Sequence, residues 1–221
     1  MNKLTKKLQS PSVERLKTEA QRLFANRGID GVTVRDIAKA AGQKNPAAVG
    51  YHFGSKEALI RELIIDGAKI IDDRRNVLLD ALEKEGGPDN ISQIVDILIY
   101  PSVNLAAPGE TDTYNRFLHM LTMSHNDLFY DALAGCLNSG YQRCLEHLRK
   151  LMPIKSRKIQ NQRFIFLESY LGAVLSARET RLNDQSRDHA TWNDKSTLDH
   201  FSATISCMLE MEHFTSNSSG L

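Results

Sequence analysis

The sequence predicts an all-α fold, a three-helix N-terminal unit followed by a larger helical body. Three observations carry that prediction. Apolar residues recur at helical spacing almost throughout. No segment alternates convincingly in the manner of a strand. Ser, Thr and Asn stand just before the apolar stripes and Gly or Pro just after them, as helix starts and stops require. The 221 residues are 41% hydrophobic and 25% charged, enough apolar material for a packed core. There is no internal repeat and no low-complexity tract.

The elements follow in order. Residues 12–27 place Leu16, Ala20, Leu23 and Phe24 on one helical stripe, and Gly28 closes it. Thr33 is a natural N-cap for a second, short helix, with Asp36 at the capping-box position and Val32 and Ile37 at the staple positions. Gly42 ends that helix. Asn45-Pro46 reads as an N-cap followed by proline at the first helical position, opening a third helix that runs to about His52 and breaks at Gly54. Ser55 caps a long fourth helix with Leu59, Leu63, Ile70, Val77 and Leu78 on its buried side, ended by Gly86-Gly87-Pro88. Further helices are expected over 90–106 (kinked or ended near Pro101), 112–124, 127–151, 156–182 and 196–213. Residues 107–112 and 183–196 are polar connections, and Trp192 staples the second of them to the body. Residues 215–221 read as a disordered tail.

Two short helices joined by a tight turn after a glycine fit a helix-turn-helix, whose second helix enters the DNA major groove. Charge points the same way. Residues 1–60 hold 11 Lys and Arg against 5 Asp and Glu, whereas residues 61–221 hold 17 against 22. A basic head on an acidic body suits a polyanion-binding module.

Particular residues sharpen the pattern. The run GVTVRDIAKAAG at 31–42, then YHFGSKEAL at 51–59, preceded by LFANRG at 23–28, resembles the DNA-binding domain of the tetracycline-repressor (TetR) family of bacterial transcriptional regulators. The resemblance covers residues 12 to about 60. From Gly42 to Phe53 the chain is one residue longer than the commonest spacing in that family, so the start of the recognition helix must differ locally. The resemblance implies a homodimer on a near-palindromic DNA operator, released when an unidentified small-molecule effector binds the helical body, with repression as the default. On that reading residues 1–57 are the DNA-binding domain and 58–221 the effector-binding and dimerisation domain.

The contacts expected with DNA divide in two. Thr33, Tyr51, His52 and Lys56, with Arg35 and Lys44, are placed to meet phosphates. Gln43, Lys44, Asn45, Ala47 and Ala48 are placed to read bases: amides suit adenine, lysine suits guanine, and alanine methyls meet thymine methyls. Phe53 belongs to the core of the small domain.

In the body, an effector site is expected between the fourth helix and the helices at 112–151 and 156–182, taking a largely apolar ligand. Its candidate lining is Arg116, His119, Met120, Met123, Tyr141, Phe166, Glu168 and Tyr170. The last two long helices are expected to pair with a second copy. Small residues there, Gly172, Ala173, Ser176 and Ala177, permit close approach, and Phe201, Ile205 and Met208 supply apolar area.

Other chemistry finds little support. The odd count of Cys136, Cys144 and Cys207 argues against a disulfide framework. If Cys136 and Cys144 share a helix they stand roughly 12 Å apart, beyond the ~7 Å a disulfide tolerates. His119, His125, His147, His189, His200 and His213 lack the partners that complete a zinc site, so no metal or cofactor is expected. The nucleophile motif G-x-S-x-G and a phosphate-binding glycine loop are absent, so an enzyme is the weaker reading. An architectural DNA-binding protein without an effector pocket is the other alternative. The first ten residues lack an apolar run, and Ile91 to Leu105 is cut by Asp96 and Pro101. That falls short of the ~20 apolar residues of a membrane span, and the expectation is a cytoplasmic protein with no membrane partner.

Overall fold

In a computed structural model, residues 10–107, 109–134 and 138–212 are described. Among them all regular structure is helical: α1 Pro11–Arg27, α2 Val34–Ala40, α3 Ala48–Phe53, α4 Lys56–Lys84, α5 Ile91–Ile99, α6 Tyr114–Ser124, α7 Asn126–Leu133, α8 Ser139–Leu151, α9 Arg157–Leu182, α10 Ala190–Asn193 and α11 Lys195–Glu210, with one 3-10 turn at Tyr100–Ser102.

The head is organised by local signals. Ser10 accepts from the Val13 amide at 3.4 Å, and Ser55 from the Ala58 amide at 3.0 Å. Thr33 and Asp36 form the expected capping box: the Thr33 amide donates to Asp36 at 2.9 Å and the Asp36 amide to the Thr33 hydroxyl at 3.2 Å. At the other end of α2, Gly42 adopts φ 68°. Its amide donates to Lys39 O and the next amide, of Gln43, to Ala38 O. That is a Schellman closure, which needs a left-handed residue and so favours glycine. Leu16, Ala20, Leu23 and Phe24 of α1 pack with Ile37, Val49, Leu59 and Leu63 in one buried cluster.

This cluster does not stop at the head. It runs on through Ile64 and Ile71 of α4 and takes in Tyr114, Phe117 and Leu121 of α6. Gly67 of α4 shows how closely α6 approaches. A Cβ at Gly67 would overlap the Tyr114 ring, and the Tyr114 hydroxyl donates to Ile64 O at 2.8 Å. Buried Lys17 of α1 bridges to Glu62 at 2.9 Å and Asp66 at 2.8 Å on α4. Burial pulls its ammonium pKa down, but the two carboxylates more than reverse that and hold it above its ordinary value.

The body is a second cluster, of Leu79, most of α5, Cys144 and Leu148 of α8, the inner faces of α9 and α11, and Met152. Three of its helix ends are finished by distant residues. Buried Glu179 of α9 accepts from the amides of Asn115 (3.0 Å) and Arg116 (2.8 Å) at the start of α6. Buried Asp72 of α4 accepts from the Gly140 amide (2.7 Å) and the Ser139 hydroxyl (2.9 Å) at the start of α8. Arg163 of α9 donates to Leu209 O (2.8 Å) and Met211 O (2.6 Å) at the end of α11. Each arrangement satisfies backbone groups that a helix end leaves unpaired.

Several expectations need correction. The helix expected from Asn45 starts only at Ala48. Asn45 Oδ1 accepts from the Ala47 amide and Asn45 O from the Ala48 amide, so the extra length is absorbed in a turn before the helix. The helix expected over 127–151 is two helices, α7 and α8, with Asn138, a poor helix former, just before the second. On α4, Ile70, Val77 and Leu78 are 40%, 68% and 44% exposed rather than buried. The inward line of that helix passes through Gly67, Asp72 and Arg75, which a hydrophobic pattern does not count. The connection at 183–196 contains the short helix α10, which carries half-buried Trp192. Cys136, His213 and the expected tail lie outside the described residues. Cys144 is buried, which pushes its thiol up to about 11, while Cys207 is exposed.

Candidate nucleic-acid interface and effector cavity

Most of the expected DNA-contacting side chains stand on the surface of α2, α3 and the turn between them. Arg35, Lys44, Asn45, Ala47, Tyr51 and His52 are exposed and Gln43 is half-buried. Tyr51, at 83% exposure, is far more open than a tyrosine is expected to be without a partner. Its ring meets His52 edge-on at 4.9 Å, so the two act as one aromatic unit at the end of α3. Asn45 spends its carbonyl on the Ala47 amide and keeps its Nδ2 donors for a partner.

Ala48 and Lys56 are placed differently from expectation, and Thr33 is engaged in its capping box. Ala48 is 6% exposed and belongs to the core of the head, because the shortened helix turns it inward beside Val49. Lys56 is half-buried, and its ammonium donates to Ile29 O and Val32 O, both at 2.8 Å, so it ties down the loop before α2 instead of reaching outward. Thr33 is exposed, but its hydroxyl donates to Asp36 at 2.6 Å, and the hydroxyl and amide of Thr33 together hold the Asp36 carboxyl below its ordinary range. Phe53 packs against the core as expected.

The body encloses a cavity of about 960 Å³ between α4, the 3-10 turn, α6, α7, α8 and α9. Of the eight residues expected to line it, Tyr141 and Glu168 do. Arg116 and His119 lie on other faces of α6, whose cavity side carries Tyr114, Asn115 and Leu118. Met120 reaches back towards Gly28 of the head. Met123, Phe166 and Tyr170 are exposed. Aromatic and methionine content pointed to the right region of the sequence but not to the inward face of each helix. The wall residues missed from sequence include Arg75 and Arg149, and Phe129 and Phe164 supply aromatic wall. The one signal for Arg75 was its position three residues after Asp72 on a helix otherwise rich in apolar residues.

Of the residues expected in a dimer face, Ala173 and Ala177 are exposed on α9, and Gly172 and Met208 are half-buried. Ser176, Phe201 and Ile205 are buried within the subunit instead. They close α9 and α11 onto their own core, with Phe201 edge-on to Tyr170 at 5.0 Å. Phe166 and Tyr170 share the outer face of α9 with Ala173 and Ala177.

The two regions are joined through α6. Its inner face meets α1: Phe24 and Phe117 stand 6.1 Å apart, Gln21 donates to the Thr113 hydroxyl at 2.9 Å, and His125 lies 3.3 Å from Asp30. Another face of α6 forms cavity wall. A helix-turn-helix head resting on a helical body with a cavity is an architecture that DNA-binding transcription regulators use. Residues 18–63 match the family described as bacterial regulatory proteins, tetR family, which places the likeness in the helix-turn-helix head. Solved structures extend the likeness to the whole fold. A tetR family transcription regulator from Shewanella sp. PV-4 superposes with a TM-score of 0.52 at 15% identity, covering 87% of this chain and 97% of that one. GusR of Salmonella enterica does so with a TM-score of 0.50 at 18% identity, covering 95% and 100%. No curated protein matches the sequence.

Proposed function

We propose that the protein is a cytoplasmic repressor that binds a near-palindromic operator as a homodimer and is released by a small, largely apolar effector. It acts by binding and not by catalysis. Residues 1–57 would form the DNA-binding domain and 58–221 the effector-binding and dimerisation domain. The observation that carries this reading is the placement of α6. Tyr114 is at once part of the head cluster and part of the cavity wall. A ligand that moved α6 would therefore move α1. It shifts the balance only by binding the DNA-free form more tightly, and a coupling of ~1–3 kcal/mol changes operator affinity roughly 5–150-fold.

The proposed base-reading residues are Gln43, Lys44, Asn45 and Ala47, and the phosphate contacts Thr33, Arg35, Tyr51 and His52. The proposed dimer face is the outer side of α9, where Ile165, Phe166 and Tyr170 are exposed beside Ala173 and Ala177, together with the exposed side of α11. An apolar, partly small-residue face of this kind suits a four-helix contact between two copies. No helix among the described residues is long and apolar enough to cross a membrane.

Two measurements test the proposal. Sedimentation at micromolar concentration should give a species near twice 24.8 kDa, and Ala173→Glu should reduce it to the monomer. A 24.8 kDa species for the unmodified protein would refute the dimer. On a set of operator sequences selected by the protein, Asn45→Ala should cost ~1–3 kcal/mol at one base pair per half-site. An equal loss on every sequence would remove Asn45 from the reading set.

A further inference from the structure

The charges in the cavity wall are unequally satisfied. Four charged side chains line it: Asp72, Arg75, Arg149 and Glu168. Asp72 is fully engaged, accepting from Gly140, Ser139 and Asn76. Arg149 donates to Asn161 at 2.8 Å and Gln160 at 3.4 Å, and its guanidinium stands 4.6 Å from the centre of the Phe164 ring. Glu168, on the exposed rim, makes no hydrogen bond or ion pair among the described residues, and partial burial raises its carboxyl pKa. Arg75 is the less exposed of the two unpaired charges. Its Nη2 donates to Leu98 O at 2.9 Å and to the Ser102 hydroxyl at 3.1 Å. Its Nε is buried without a hydrogen-bond partner. Among the described residues it makes no ion pair; the Tyr141 ring lies 5.7 Å away, and the Asp72 carboxylate, already engaged elsewhere, acts on it only at longer range.

A guanidinium held in a largely apolar wall is costly unless a counter-charge meets it. Burial accordingly pulls the Arg75 pKa below its ordinary value. The apolar part of the wall includes Phe129, Leu133, Phe164 and Leu171. The planar fork of arginine matches a carboxylate, and such charge-assisted bonds are stronger than neutral ones. Arg75 is also anchored to the switch element, since Ser102 O accepts from Asn115 Nδ2 of α6 at 2.7 Å.

We propose that the effector is an apolar carboxylate whose head group pairs with Arg75 while its hydrocarbon body lies against Phe129, Leu133, Phe164 and Leu171. The assignment rests on the cavity being the effector site, and the test separates the two. The protein is loaded with the neutral fluorescent probe N-phenyl-1-naphthylamine. The probe is then displaced at neutral pH by decanoate, decanol or decylamine, which share a chain and differ in head group. Decanoate should displace the probe at a concentration about tenfold or more below that of decanol, with decylamine weakest. Arg75→Gln should bring decanoate to the level of decanol and leave decanol unchanged. Because the preference is a ratio measured on the unmodified protein, it stands even if Arg75→Gln folds poorly. Equal displacement by decanoate and decanol, or a preference for decylamine at the Glu168 rim, overturns the carboxylate assignment and leaves the cavity as a binding site. A preference for decanoate that survives Arg75→Gln in a folded protein overturns it too. A cavity-filling variant, Leu171→Trp, should abolish probe binding. If the probe does not bind, or binds that variant undiminished, the effector-cavity reading falls and the carboxylate with it.

Discussion

Three helix starts at the head and two at the cavity are finished from opposite directions. In the head the cap is a near neighbour: Ser10, Thr33 and Ser55 each serve an amide three residues on. In the body α5 and α11 are capped locally by Asn90 and Asp194, but α6 and α8, two of the helices that flank the cavity, have no local side-chain cap. Their starts are held by Glu179 and Asp72, residues more than 60 positions away in sequence. The difference has a mechanical meaning. A helix capped by itself keeps its start wherever it goes, as a rigid reading head requires. A helix whose start is held by another helix must respond when that neighbour moves. The second arrangement sits where a ligand would act.

The largest expected effect breaks a remote cap. Glu179→Ala leaves two amides and the Asn115 side chain without their acceptor in a buried site, and should cost about 3 kcal/mol in urea unfolding. A loss like that of an exposed cap would show that the remote contact is passive. The same residue predicts a pH dependence. Burial raises the Glu179 carboxyl pKa above its ordinary 4.5. The folded state therefore binds the proton more readily than the unfolded chain, and stability should fall as pH rises from 4.5 through the folded value. Glu179→Gln should flatten that slope, and an unchanged slope would assign it to another group.

Next in size is the α4–α6 contact. Gly67→Ala places a methyl group in the space of the Tyr114 ring, and overpacking of this kind costs about 2 kcal/mol. Glycine normally weakens a helix interior by about 1 kcal/mol relative to alanine. A stabilised Gly67→Ala protein would mean that Tyr114 yields easily and that α6 is loosely held.

The smallest effect is the local cap. Thr33→Ala should cost about 1 kcal/mol by chemical unfolding and leave the body unchanged. Its partner gives the opposite pH signature to Glu179. The Asp36 carboxyl is held below its ordinary 3.8, so its contribution is present above that value and lost as pH falls through the lower folded one. Asp36→Asn should remove this acid sensitivity. If the variant loses stability on acidification as the parent does, the capping box is not its source.

The sequence was most legible where structure is local. The capping box at Thr33, the stop at Gly42 and the cap at Ser55 are each decided within a few residues, and each forms as read. The body was legible as helices but not as faces. Ile70, Val77 and Leu78 look like core by composition yet are exposed, whereas Asp72 and Arg75 look like solvated charges yet face inward. Likewise Ser176, Phe201 and Ile205 read as an outer seam but are spent inside the subunit.

By itself, then, the sequence determined the helical class, the helix-turn-helix and its basic charge. Periodicity, caps, turns and net charge are properties of neighbouring residues or simple sums. Tertiary structure alone decided that Lys56 ties down a loop, that Glu179 and Asp72 start helices far from themselves, and that Arg75 faces a largely apolar cavity without an ion-pair partner. Those roles depend on which partner occupies the space beside a residue. In an all-helical chain that is set by how long helices cross, at separations of 60 residues and more, where no local pattern reaches.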